Sequence, residues 1–231
     1  MELARALADH DVSISLATMG ARLSRDQRKQ ARGVGNVEIY ESSLKLEWME
    51  NAWNDVQRAG NWLLEVERRT KPDLVHFNGY AHAAWPFRSP KIVAGHSCVL
   101  SWWNAVRKQN APAAWDSYRE RVRAGIQSAD LVVASTRTML DQLKRFYGPM
   151  NGRVIHNGRD HSAFKPSPKE EFVFTAGKLG DEAKTASSTF VMGISHNMES
   201  LTSPRRSRAW QSDTQWSGNR GPSVWSPRTN C

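Results

Sequence analysis

SADLVVASTRTMLDQL, residues 128–143, is the stretch that decides the fold. Leu131 to Ala134 is short, apolar and β-branched at its centre, the composition of a strand buried on both faces. Ser135 follows where a helix N-cap belongs. Met139, Leu140, Leu143 and Phe146 then recur at helical spacing. A buried strand running through a polar cap into an amphipathic helix is the repeating unit of a parallel α/β sheet.

The same unit recurs on both sides. Leu74 to Phe77, Ile92 to Ala94, and Val154 with Ile155 read as short buried strands. Val12, Ile14 and Leu16 alternate as a strand, and Val37 to Tyr40 is another, after a basic loop from Arg22 to Arg32. Leu3 and Leu7 mark an opening helix that ends at Asp9 and His10. Met49, Ala52, Trp53, Val56, Leu63 and Val66 predict an amphipathic helix over 46–68, broken by Pro72. Trp115, Tyr118, Val122 and Ile126 predict another. Right-handed crossovers turn these elements into an α/β, Rossmann-like parallel sheet with helices on both faces. Ligands of such sheets sit beyond the carboxyl ends of the strands. Candidate positions are therefore His76 to Asn78, His96 to Cys98, Ser135 to Arg137, and His156 to Gly158, where Asn157-Gly158 is a turn signal.

Residues 1–160 are read as this domain, and 161–184 as a linker into a further strand, Phe172 to Thr175. That strand opens into a turn with Gly177 and Lys178, and Lys184 follows six residues later. Glycine lets a backbone approach phosphates closely. On spacing alone both lysines read as solvated loop residues. Residues 185–231 hold only Phe190, Val191, Ile194, Leu201 and Val224 as strongly apolar aliphatic or phenyl side chains, a composition of disordered chain. Trp210, Trp216 and Trp225 are foreign to such tails, which favours an aberrant translation product, such as a frameshift, over a natural tail with aromatic docking points.

The chain has 231 residues, 39% hydrophobic, with a formal net charge of +9. That balance favours anionic partners or a merely solvated basic surface. Neither zinc-finger spacing nor an RNP-type motif is present, so specific nucleic-acid binding is not expected. Two cysteines, Cys98 and Cys231, make neither a disulfide framework nor a metal site. No run approaches the ~20 apolar residues of a spanning helix, and MELARALADH lacks the form of a signal peptide. The expectation is a cytoplasmic setting.

Five motifs carry a resemblance: PDLVHFNGY (72–80), KIVAGHS (91–97), SADLVVASTRTMLDQL (128–143), RVIHNGRD (153–160) and FTAGKLGDEAK (174–184). In order and spacing they resemble retaining glycosyltransferases of family 4, across residues 1–184. The resemblance implies the GT-B fold, two Rossmann-like domains facing a cleft, the first mainly for the acceptor and the second for the nucleotide-sugar donor. It implies transfer of a hexose to a hydroxyl acceptor, saccharide or lipid, with retention. A lipid acceptor would bring peripheral contact with the inner face of the membrane; Leu100, Trp102 and Trp103 are a candidate membrane-contacting patch or acceptor wall, against the commoner reading as core. Lys178 and Lys184, beside Gly177, would be the cations that hold the donor diphosphate, so no metal or other cofactor is required. His96 would lie near the transferred sugar as the catalytic histidine. His76, Asn78 and Asn157 would line the acceptor cleft.

The pattern departs from the family in three ways. The family has a strand and glycine-rich loop before the opening helix. It usually has arginine where Lys178 stands, and arginine would add a planar two-pronged contact. It also has a pair of donor-gripping glutamates later in the chain. The chain is therefore expected to be an incomplete, inactive fragment. Two alternatives stand beside this reading: a non-catalytic basic anion-binding protein, and a GT-B sugar-nucleotide epimerase fragment.

Overall fold

Side chains cap α2 (Arg25–Arg32) and α6 (Arg137–Tyr147), whereas α3 (Trp53–Thr70) and α5 (Asp116–Gln127) begin without one. The computed structural model describes residues 1–168. Strands β1 (Ile14–Thr18) and β2 (Val37–Glu41) pair in parallel, with Ile14 opposite Val37 and Thr18 opposite Glu41. Strands β3 (Val75–Phe77), β4 (Lys91–Gly95), β5 (Leu131–Ala134) and β6 (Gly152–Val154) form a parallel sheet in that order. The α/β parallel class is as the sequence implies, but the strands fall into two sheets, because no described strand joins β1 or β2 to the β3 edge.

Helices α1 (Glu2–Ala8), α2 (Arg25–Arg32), α3 (Trp53–Thr70), α4 (Val99–Trp102), α5 (Asp116–Gln127) and α6 (Arg137–Tyr147) flank the sheets. The core gathers Phe77, Tyr80, Val93, Tyr118, Val122, Ile126, Val132, Leu143 and Tyr147. Its walls approach closely. A Cβ on Gly95 would come within 2.5 Å of Leu143 Cδ1, and one on Gly125 within 1.9 Å of the Tyr80 carbonyl oxygen. Glycine at 125 is what lets α5 lie directly on the turn that follows β3.

Several boundaries differ from the sequence reading, each for a local reason. Helix α3 starts at Trp53 instead of 46, because Asn51 takes φ +52° and Glu47 turns inward. It ends at Thr70, capped by Lys71 at φ +47°, before Pro72. The expected basic loop 22–32 contains α2, started by a capping box. Ser24 Oγ accepts from the Gln27 amide at 3.1 Å, and Gln27 Oε1 accepts from the Ser24 amide at 2.8 Å. The cap of α6 is Thr136, not Ser135, since Thr136 Oγ1 accepts from the Met139 amide at 3.1 Å. Strand β6 ends at Val154; Ile155 still donates its amide to the Ala134 carbonyl at 3.0 Å, but its side chain is exposed. Trp103 packs half-buried against the core, with Trp102 edge-on to it at 5.8 Å between ring centroids.

Candidate active site

Parallel pairing brings the carboxyl ends of β3, β4, β5 and β6 to one edge of their sheet. That edge carries His76 and Asn78 from β3 and its exit, His96 from the exit of β4, and His156 and Asn157 beyond β6. His96 Nε2 lies 3.1 Å from Asn78 Oδ1. The ring tautomer sets which of the two groups donates, and the other ring nitrogen, Nδ1, makes no hydrogen bond to a described residue. His96 and Asn78 are both exposed. The ring of His76, partly exposed, is held below the usual histidine pKa, first by partial burial and second by repulsion from His96. The two imidazoles are thus within electrostatic reach.

Asn157 shares the edge but stands apart. It is exposed and makes no hydrogen bond to a described residue, and β5 separates β6 from β4, roughly 10 Å at ordinary strand spacing. His156 is tied down, its Nδ1 2.9 Å from the Ser135 carbonyl. Gly177, Lys178 and Lys184 lie outside the described residues.

Beneath His96 and Asn78 sits a support that sequence reasoning missed. Glu47 is buried, and its carboxylate accepts from the Tyr80 amide at 3.0 and 3.2 Å and from the Ala81 amide at 2.7 Å. These amides open the short turn Ala81–Ala84 that follows Asn78 and Gly79. The buried Tyr80 hydroxyl then donates to the Ser97 carbonyl at 2.8 Å, next to His96. A continuous path therefore runs from Glu47 through Tyr80 to both site residues. Burial pushes the Glu47 carboxyl above its usual pKa, while the two amides pull it back. Its signal in the sequence was a lone carboxylate inside a segment read as helix, and nothing local distinguishes it from a solvated one.

Among the described residues no group of three His, Cys, Asp or Glu side chains could hold a metal ion, and no helix is long and apolar enough to cross a membrane.

Residues 1–163 match the family model "Glycosyltransferase Family 4". The chain belongs to glycosyltransferase family 4. The family match spans every element described above, including the His96–Asn78 pair. No curated protein sequence matches the chain. A solved structure with partial likeness is Glycyrrhiza uralensis UGT73P12 complexed with glycyrrhetinic acid 3-O-monoglucuronide. It is 8% identical, with a TM-score of 0.43, over 65% of this chain and 44% of that one. This family-4 chain therefore spans less than half the length of that neighbour.

Proposed function

We propose that this family-4 chain carries the acceptor face of a glycosyltransferase that moves a hexose from a nucleotide sugar to a hydroxyl acceptor with retention. The observation that supports the reading best is the His96–Asn78 pair at the carboxyl edge of a parallel sheet within the family match. In the proposed reaction the bond from the anomeric carbon to the diphosphate oxygen breaks, and its electron pair stays on the diphosphate. The acceptor oxygen bonds to the same face of the sugar, and its proton passes to the departing phosphate oxygen. His96, held by Asn78, orients a sugar hydroxyl beside the reacting carbon. Gly177, Lys178 and Lys184 offer the backbone room and the fixed cations for the charge that builds on the leaving group, usually the largest catalytic contribution. These three residues enter from the sequence pattern alone. The reading calls for no metal, and it places a nucleotide sugar and a saccharide or lipid hydroxyl as partners.

Turnover by the 231 residues alone is expected to be slight. Residues 185–231 contain one glutamate, Glu199, where the resemblance calls for a pair. Calorimetric titration of the purified chain with UDP-, GDP- and ADP-hexoses, alongside nucleoside diphosphate release, tests the proposal. Binding of one nucleotide sugar, weakened about tenfold or more by Lys178→Ala and by Lys184→Ala, is the expected result. No binding of any nucleotide sugar at millimolar concentration would overturn the donor assignment, and sustained turnover would overturn the incompleteness.

A further inference from the structure

A cleft of about 600 Å³ opens at the carboxyl ends of β1 and β2, lined by Arg22, Arg28, Arg58, Ser42, Ser43 and Trp62, with Glu41 and Leu44. Its frame is fixed. The Glu41 carboxylate takes both prongs of the Arg28 guanidinium, one at 3.0 Å, and also accepts from the Leu23 amide at 2.7 Å. That anchors the loop carrying Arg22. The Leu44 amide donates to Ser42 Oγ at 3.1 Å, and the Ser42 amide to the Thr18 carbonyl at 2.9 Å. Arg58 and Trp62 stand four residues apart on α3, on one face of that helix.

The charges do not cancel. Three guanidiniums face one carboxylate in the wall. Asp55, outside it, pairs with Arg58 at 3.3 Å. One positive charge is left over, and it belongs to Arg22, which is exposed and has no ion pair or hydrogen bond to any described residue. The half-buried Trp62 ring adds an apolar platform suited to the flat face of a sugar or polyol, and the serine hydroxyls add donors and acceptors.

The cleft is also coupled to the site. Leu44 in its wall is three residues from Glu47, whose carboxylate holds Tyr80 and Ala81. Three residues span at most about 11 Å. One loop therefore shapes both the arginine cleft and the turn behind Asn78.

We infer that this cleft binds an acceptor of defined chemistry: a saccharide or polyol that carries an anionic group, a phosphate monoester or a carboxylate. Arg22 takes the anion, Ser42 and Ser43 take hydroxyls, and Trp62 takes a ring face. This inference rests on the proposed glycosyl transfer for the word acceptor; the binding itself does not depend on it.

NMR titration of the chain with glucose 6-phosphate, glucuronate, glucose and inorganic phosphate tests it. Glucose 6-phosphate or glucuronate is expected to shift the Ser42 and Ser43 amides and the Trp62 indole, and whichever binds tighter identifies the anion. Glucose and inorganic phosphate are each expected to bind at least tenfold more weakly. Arg22→Ala and Trp62→Ala should each weaken binding at least fivefold, and Arg22→Lys should recover part of the loss. Arg22 is exposed and unpaired with described residues, so its removal is expected to leave the fold intact, checked by an unchanged spectrum elsewhere. Equal binding of glucose, equal binding of inorganic phosphate, no effect of Arg22→Ala, or no binding of either sugar anion would each overturn the inference. Nucleotide-sugar affinity measured on the same wild-type sample separates the two readings, since its absence defeats the donor assignment and leaves the cleft result standing.

Discussion

Removing the Glu47 carboxylate tests whether the site stands on a buried support. In Glu47→Ala the Tyr80 and Ala81 amides lose their acceptor. Each buried donor left unsatisfied costs about 1–3 kcal/mol, so the gross loss is roughly 2–6 kcal/mol. Loss of a desolvated carboxylate offsets part of that, which leaves about 2–4 kcal/mol at pH 7. For a domain of this size the melting temperature should fall by roughly 4–16 °C. Urea unfolding supplies the free energy, and amide exchange at Tyr80 and Ala81 supplies the location. Exchange should accelerate there, and the His96 and Asn78 resonances should broaden as their backbone loosens. A loss under about 1 kcal/mol with unchanged exchange at both amides would refute the reasoning.

Four further outcomes follow from the same geometry. Burial raises the Glu47 pKa in the folded chain, so protonation adds stability that is fully present below the unfolded value and is lost as pH rises through the folded value, while the hydrogen bonds to Tyr80 and Ala81 remain. The unfolding free energy of the wild type relative to Glu47→Gln should therefore improve as pH falls from 7 to about 4; a flat difference over that whole range would contradict the burial. Replacing Gly125 with alanine drives a methyl into the Tyr80 carbonyl, and overpacking against backbone should cost about 1–3 kcal/mol or more in urea unfolding. His96→Ala removes the second cause of the depressed His76 pKa and leaves the first, so a proton NMR titration should show His76 rising only part of the way to 6.5. Thr136→Ala should cost about 1 kcal/mol by loss of the α6 cap, whereas Ser135→Ala should cost little by that route.

Much of this architecture could be read along the chain, because the β3–β6 sheet is built from local signals. Leu131 to Ala134 and the helix after it are set by composition and period, and the structure differs only in which of two adjacent hydroxyls caps the helix. Helix α2 escaped because eight mostly charged residues with one buried side chain, Ala31, offer no apolar period; its capping box at Ser24 and Gln27 was the available sign. The candidate site divides the same way. His96 and Asn78 are legible, since the end of a buried strand in a parallel sheet is where ligands meet the chain. Glu47 is not, because its partners lie 33 and 34 residues away and meet it only in the folded chain. The arginine cleft was hidden for a related reason: Arg22, Ser42 and Arg58 come from three segments that meet only once β1 and β2 pair.

His96 is proposed to lie beside the transferred sugar. The direct measurement is an intermolecular nuclear Overhauser experiment between the His96 ring and a carbon-labelled nucleotide sugar bound to the chain. It should show contact between the His96 ring protons and protons of the hexose, lost when excess unlabelled nucleotide sugar is added. Saturating nucleotide sugar whose contacts fall elsewhere, with the His96 and Asn78 resonances unmoved, would contradict the account.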